Sequence, residues 1–159
     1  MATIKLMLTK IFLCLTLLFS GGQMQSNSIT NYFSKASAIT IIENGTKTSY
    51  LKGDDKFEEI LSSLLKITSG AHDMPAYGVS LDKDTKKAIE SGLWLELEFK
   101  TPETFNELPF ESLLFEVSAN YEGFNLIRKN NNTYDGRCFY LNLKGNMKHL
   151  FATLKNISK

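Results

Sequence analysis

LWLELEFK, residues 93–100, decides how the rest of the chain is read. Leu93, Leu95, Leu97 and Phe99 alternate with Trp94, Glu96, Glu98 and Lys100. Successive side chains of a strand point to opposite faces, so this period of two predicts a strand with one buried face. Toward the C-terminus, Pro102 and Pro109 bracket an expected loop. Phe110–Ser118 is an expected strand with Leu113, Phe115 and Val117 on one face. A turn at Ala119-Asn120 leads into Tyr121–Lys129, and Asn130, Asn131 and Asn132 make the next connection. Tyr134–Leu143 is a further strand, whose Phe139, Leu141 and Leu143 point one way. Strands joined by short turns pair antiparallel, so the run is a meander.

Toward the N-terminus the pattern changes. A short helix is expected from about Lys83 to Ser91, entered through Asp82 and stopped by Gly92. Residues 71–81 (AHDMPAYGVSL) read as loop or irregular strand, because Pro75 and Gly78 interrupt any period. Before them, Phe57, Ile60, Leu61, Leu64 and Leu65 recur at helical spacing and form one apolar stripe. Asp55 and Glu58 read as a capping box at its start, and Gly70 marks its end. Ile39, Ile41 and Ile42 precede Asn44-Gly45, the dipeptide favoured in a type I′ turn, and Thr46–Leu51 returns, so 38–51 is an expected hairpin. At the far end, Met147, Leu150, Phe151 and Leu154 define an amphipathic helix with Asn146 as cap.

Two amphipathic helices need one apolar sheet face to bury against. The expected fold is therefore α+β: a two-layer sandwich of a mainly antiparallel, four- to five-stranded meander sheet with two helices on one face. Leu61, Leu64, Leu95 and Leu97 are the expected centre of its core.

The first residues carry a different message. Lys5 and Lys10 flank an otherwise uncharged start, the apolar run Ile11–Phe19 (IFLCLTLLF) follows, and Ser20, Gly21 and Gly22 supply small residues. That order is the one a secretory signal requires. The run is too short for the ~20 residues of a membrane-spanning helix. Residues 1–22 are thus read as a signal peptide, 23–37 (QMQSNSITNYFSKAS) as a flexible leader and 38–159 as a single domain. The protein is expected to be secreted or extracytoplasmic, with no membrane span after cleavage; the alternative is an uncleaved segment serving as an anchor.

Loss of Lys5 and Lys10 takes the formal charge from +1 to −1. With no basic stripe, nucleic acid and anionic membrane surfaces are poor partners. Cys14 lies inside the apolar run, preceded by Ile11, Phe12 and Leu13, which is not the small-residue setting of a lipidation site. Cleavage would leave Cys138 as a lone thiol.

The segments ITIIENGTKTSYLKGDDKFEEILSSLLK (39–66) and YEGFNLIRKNNNTYDGRCFYLNL (121–143) resemble small exported or lipid-anchored proteins of unassigned function in low-GC Gram-positive bacteria. In these a hairpin precedes an acidic-capped helix and a meander ends in a Gly-containing aromatic strand. The chain departs from the lipid-anchored members in lacking a lipobox. The resemblance implies an exported location and this fold, and no activity.

Chemistry-bearing residues are sparse. His72 and Asp73 are adjacent in an expected loop, but a dipeptide without a nucleophile and an oxyanion site is not a catalytic constellation. Cys138 has Arg137 beside it to favour the thiolate, yet a thiol nucleophile needs a paired base. A free cysteine is ordinarily a small buried hydrophobe. Glu96 and Glu98 share a face and read as the solvated side of an amphipathic strand, guarding against edge pairing. With two histidines in the chain, one of them on a helix, no metal site is expected, and no cofactor. Asn44, Asn131 and Asn156 begin Asn-x-Thr/Ser triplets, which matter only in a glycosylating secretory pathway.

Trp94 is the exception to the pattern. It sits on the face of Glu96 and Glu98, where a solvated strand would carry a polar group, and Leu114 and Tyr140 hold the corresponding positions of later strands. Aligned, they would make an apolar patch ringed by charge: a binding surface or dimer interface, or else the floor beneath residues 71–81. The expected function is a non-catalytic exported domain that binds a protein or cell-envelope partner through this helix-free face. A small extracellular hydrolase using His72, Asp73 or Cys138 is the alternative.

Overall fold

The computed structural model describes residues 28–75 and 78–158. The signal reading of 1–22, Cys14 and the leader residues 23–27 lie outside the described residues. A 3-10 helix (Ile29–Lys35) is followed by β1 (Ala38–Glu43), β2 (Thr46–Leu51), α1 (Asp55–Ile67), β3 (His72–Met74), β4 (Val79–Ser80) and α2 (Asp82–Ala88). Then come β5 (Leu93–Phe105), β6 (Leu108–Glu116), β7 (Gly123–Lys129), β8 (Gly136–Arg137), β9 (Phe139–Asn142) and α3 (Lys148–Ile157). Among the described residues no helix is long and apolar enough to cross a membrane.

The fold is α+β with a mainly antiparallel sheet, as the patterns predicted, but the sheet is larger. Seven strands run in the order β2-β1-β5-β6-β7-β9-β3, and β4 pairs with β8 in a separate two-stranded ribbon. The meander accounts for β5-β6-β7-β9. The N-terminal hairpin extends it because β1 pairs with β5 along its whole length, Ile39 opposite Leu97 and Ile42 opposite Trp94. Residues 72–74 add the far edge through His72 opposite Asn142 and Met74 opposite Tyr140.

Asn44 and Gly45 both have positive φ (49° and 81°), the requirement of the type I′ turn expected there. A second such turn at Asn106-Glu107 (48° and 65°) was not foreseen. The stretch between Pro102 and Pro109 is therefore no loop. β5 runs through it, with a register shift between Glu98 and Glu103 that accommodates Pro102, which has no N–H for a ladder.

The first sheet face carries the main core. Ile39, Ile41, Leu95, Leu97, Leu113, Phe115, Leu126 and Leu141 meet Phe57, Ile60, Leu61 and Leu64 of α1 and Leu150, Leu154 and Ile157 of α3. The four leucines expected at its centre are all buried. Leu65 is exposed, at the margin of the stripe. The capping box does not form: α1 starts at Asp55, so Asp55 is its first helical residue, and the cap position belongs to Asp54, whose Oδ2 accepts from Leu51 N at 2.9 Å. The cap position of α3 likewise belongs to Met147 rather than Asn146, whose Oδ1 nevertheless accepts from Lys148 N at 3.1 Å.

The leader reading is corrected for 28–37. Ile29, Phe33 and Ala36 are buried in the main core, and Ser28 Oγ accepts from Thr30 N at 3.3 Å to cap the 3-10 helix. Tyr32 packs edge-on against Phe105 and Phe110 and donates its hydroxyl to Thr104 O at 2.8 Å. A few apolar side chains spaced among polar ones are enough when the rings of Phe105 and Phe110 are there to receive them.

Candidate functional site

Residues directly opposite in an antiparallel pair share a face. The register Thr40–Glu96–Leu114–Ile127, with Ile42–Trp94–Glu116 on one side of that row and Asn125–Tyr140 beyond it, therefore assembles the second face. The sequence placed Trp94, Glu96, Leu114 and Tyr140 together there, and the pairing does so.

This face is not helix-free. α2 lies on it, and Ile89, just past α2, packs with Ile42, Trp94, Leu114 and Tyr134 in a second, smaller core. Leu114 is fully buried and Trp94 is 8% exposed, its Nε1 donating to Ser91 O at 2.9 Å. Glu96, expected in solvent, is 4% exposed. Its Oε1 accepts from Ser112 Oγ at 2.5 Å and from Tyr134 OH at 3.0 Å, so the buried carboxylate is held by hydroxyl donors. Burial first, and the Glu96 charge second, push the Tyr134 phenol well above its ordinary range.

The covering layer is tied down by polar contacts. Ser80 Oγ donates to the carbonyls of Tyr134 and Gly136. Asp82 Oδ1 accepts from Tyr134 N at 3.1 Å, and its own N–H donates to Asp135 Oδ1 at 2.8 Å. Lys86, followed by the Tyr134 N–H, holds the Asp82 carboxyl below its usual range. Among the described residues of 71–81, β4 and its neighbours Gly78 and Leu81 take part in this cover, while β3 joins the sheet edge.

The cover leaves two hollows on the second face. One, of about 310 Å³, lies between Trp94, Glu116, Tyr121 and Tyr140. The other, of about 330 Å³, lies between Leu81, Asp84, Ala88 and Cys138. Asn125 and Ile127 of β7 line both, so the two make one trough across the face. Val79 and Leu81, 68% and 58% exposed, rim the second hollow, and Tyr121 stands at the first. Glu116 Oε2 accepts from Tyr121 OH at 3.0 Å, a bond that raises the Tyr121 phenol above its ordinary value.

Of the five residues expected to bind, then, Trp94 and Tyr140 line the trough, while Leu114 and Glu96 lie buried beneath this face. Glu98 shares this face but lies outside the trough, near the β5 register shift, accepting from Thr40 Oγ1 at 2.7 Å. Asn125, Ile127, Glu116 and Tyr121 were missed. Extending the alternation of Tyr140 to its partner strand, and of Trp94 to the residue opposite, would have found the first three.

The hydrolase residues are not brought together. His72 is exposed on edge strand β3, opposite Asn142. Cys138 lies four residues before Asn142, just ahead of β9, on the order of 13 Å away at the strand rise of ~3.3 Å per residue. A nucleophile and base need ~3 Å or one intervening water. Cys138 is buried, and burial pushes its thiol up, against the weaker pull of Ser80 and Arg128. Among the described residues no group of three or more His, Cys, Asp or Glu side chains could hold a metal ion.

Comparison with protein-family models, with curated proteins and with solved structures gave no match.

Proposed function

We propose that the chain is a non-catalytic binding domain that works outside the cytoplasm and takes a protein or cell-envelope partner along the trough of the second face. The observation that carries the reading is the meeting of the two hollows at Asn125 and Ile127, rimmed by exposed Val79 and Leu81. Exposed apolar side chains beside a concave surface are what a partner covers. Trp94 contributes from within the small core rather than as an exposed anchor, so the contact surface shifts to Tyr140, Asn125, Ile127 and Leu81.

A photo-crosslinking residue at position 125 tests this in the producing cell, with Leu65 on the outer side of α1 as control. Adducts of defined mass from 125 and none from 65 are expected. Equal labelling from both, or none from either, would overturn the reading. Export is tested separately: protein recovered from the medium should begin near Gln23, and a full-length chain confined to the cytoplasm would remove that part.

A further inference from the structure

Resting on that reading, we propose that the hollow between Trp94, Tyr121 and Tyr140 is a site for an organic ammonium group, a cationic nitrogen carrying alkyl substituents. Three aromatic side chains of the second face line it, Trp94, Tyr121 and Tyr140, together with the carboxylate of Glu116, and among the described residues no lysine, arginine or histidine does. An alkylated ammonium has little or no capacity to donate hydrogen bonds. It is recognised by the negative faces of aromatic rings and by a nearby anion, and loses little in leaving water. A hard metal ion is ordinarily held by more than one carboxylate, and the lining has Glu116 alone; a simple anion would need donors of positive charge, and no described lining residue carries one.

The parts of the site are fixed in place. Glu116 stands opposite Trp94 in the β5–β6 register, and Tyr121 OH donates to its Oε2 at 3.0 Å, which directs the carboxylate toward the rings. Tyr140 reaches the hollow by lying across Gly123. A Cβ at that position would fall 2.3 Å from Tyr140 Oη and 2.7 Å from the Leu141 carbonyl oxygen, so any side chain there would expel the ring or move the strand. The volume, about 310 Å³, is at the lower end of the ~300–1,000 Å³ of ligand pockets and suits a headgroup-sized cation. In the adjoining hollow the charged lining residue is again an acid, Asp84, so no described lining residue of the trough repels a cation.

Calorimetric titration of the full chain with choline tests the proposal, with the uncharged analogue bearing carbon in place of nitrogen as the comparison. Choline should bind saturably and the analogue about tenfold more weakly. Glu116→Gln, which keeps an oxygen acceptor for Tyr121, should weaken choline by about tenfold without changing the melting temperature. Tyr140→Leu should weaken it as well. Equal binding of the analogue, unchanged choline affinity in Glu116→Gln, or no heat with choline would each overturn the assignment. Phosphatidylcholine vesicles separate two sources of the same chemistry. Retention displaced by choline assigns a lipid headgroup, and choline binding without retention assigns a free solute. Should choline fail while crosslinks from position 125 persist, the ammonium site falls and the binding domain stands; loss of both removes both.

Discussion

On the first face, alternate residues of β1, β5, β6, β7 and β9 meet two helices and the 3-10 segment. On the second, the interleaved residues of the same strands meet a two-turn helix, a two-stranded ribbon and the Tyr134 ring. The first contact is apolar throughout its centre, with edge-on aromatic packing of Phe110 against Phe99, Tyr32 and Phe139. The second holds the carboxylates of Glu96 and Glu98, three hydroxyls and an indole N–H within a few strand positions, each with a partner. Apolar layers are held by area and shape. A small polar layer is held by satisfied hydrogen bonds, and leaves its unfilled parts open as hollows. One sheet thus supplies a dry foundation and a shaped surface from one alternating sequence.

The sharpest way to break this contrast uses two neighbours, Leu113 and Leu114, both fully buried and on opposite faces. Truncation of a buried leucine costs ~2–5 kcal/mol, more where the surroundings cannot collapse. Leu113→Ala is expected near the top of that range and Leu114→Ala near ~2 kcal/mol, read as urea midpoints at unchanged slope. Equal losses would mean the second core is as rigid as the first.

Next in size is Glu96→Ala, expected to cost ~1–3 kcal/mol, because Ser112 and Tyr134 lose their acceptor inside a buried site. Had the glutamate been solvated as its alternation implied, the change would stay within ~0.5 kcal/mol.

Tyr134→Phe sharpens the comparison through pH. The folded phenol titrates above the 10.0 of an unfolded one, so the folded state binds the extra proton at high pH. Stability is full below pH 10.0 and falls as pH rises above it. Alkaline melts should show this decline in the wild type and a flatter profile in Tyr134→Phe. An unchanged slope would place the alkaline sensitivity elsewhere.

Smallest is Asp55→Ala. With no capping box, the residue acts only through the helix dipole, worth ~0.3–1 kcal/mol and reduced by salt. A loss well above that, undiminished in salt, would restore the capping role.

The sequence was legible where periodicity was long. LWLELEFK, the stripe of α1 and the α3 stripe read correctly because each repeats its signal over several turns or alternations. β3, β4 and β8 are two or three residues long and take their form from a partner strand, so they carry no period of their own. Glu98 and Glu96 look identical in sequence and differ in burial only because Tyr134, some forty positions on, closes over one of them. The ordered start was hidden for the same reason: Ile29 and Phe33 sit among Ser, Asn and Thr, and their burial depends on a hairpin end that is read as a loop. At the candidate site, Trp94 and Tyr140 announced themselves by breaking the pattern. Asn125 and Glu116 fit it, so only strand pairing revealed them.

The place where the chain joins the fold has a consequence for how the domain would be displayed. Ser28 leads into the 3-10 helix, which packs in the layer of α1 and α3, on the side of the sheet away from the trough. Lys35 is paired with Glu103 and Tyr32 with Thr104, so this junction is riveted to the β5–β6 hairpin end. Whatever becomes of the segment upstream, a pull applied through it reaches the helix layer first. Anything joined to the domain at Ser28 therefore meets it on the helix side and leaves the approach to the trough clear at that junction.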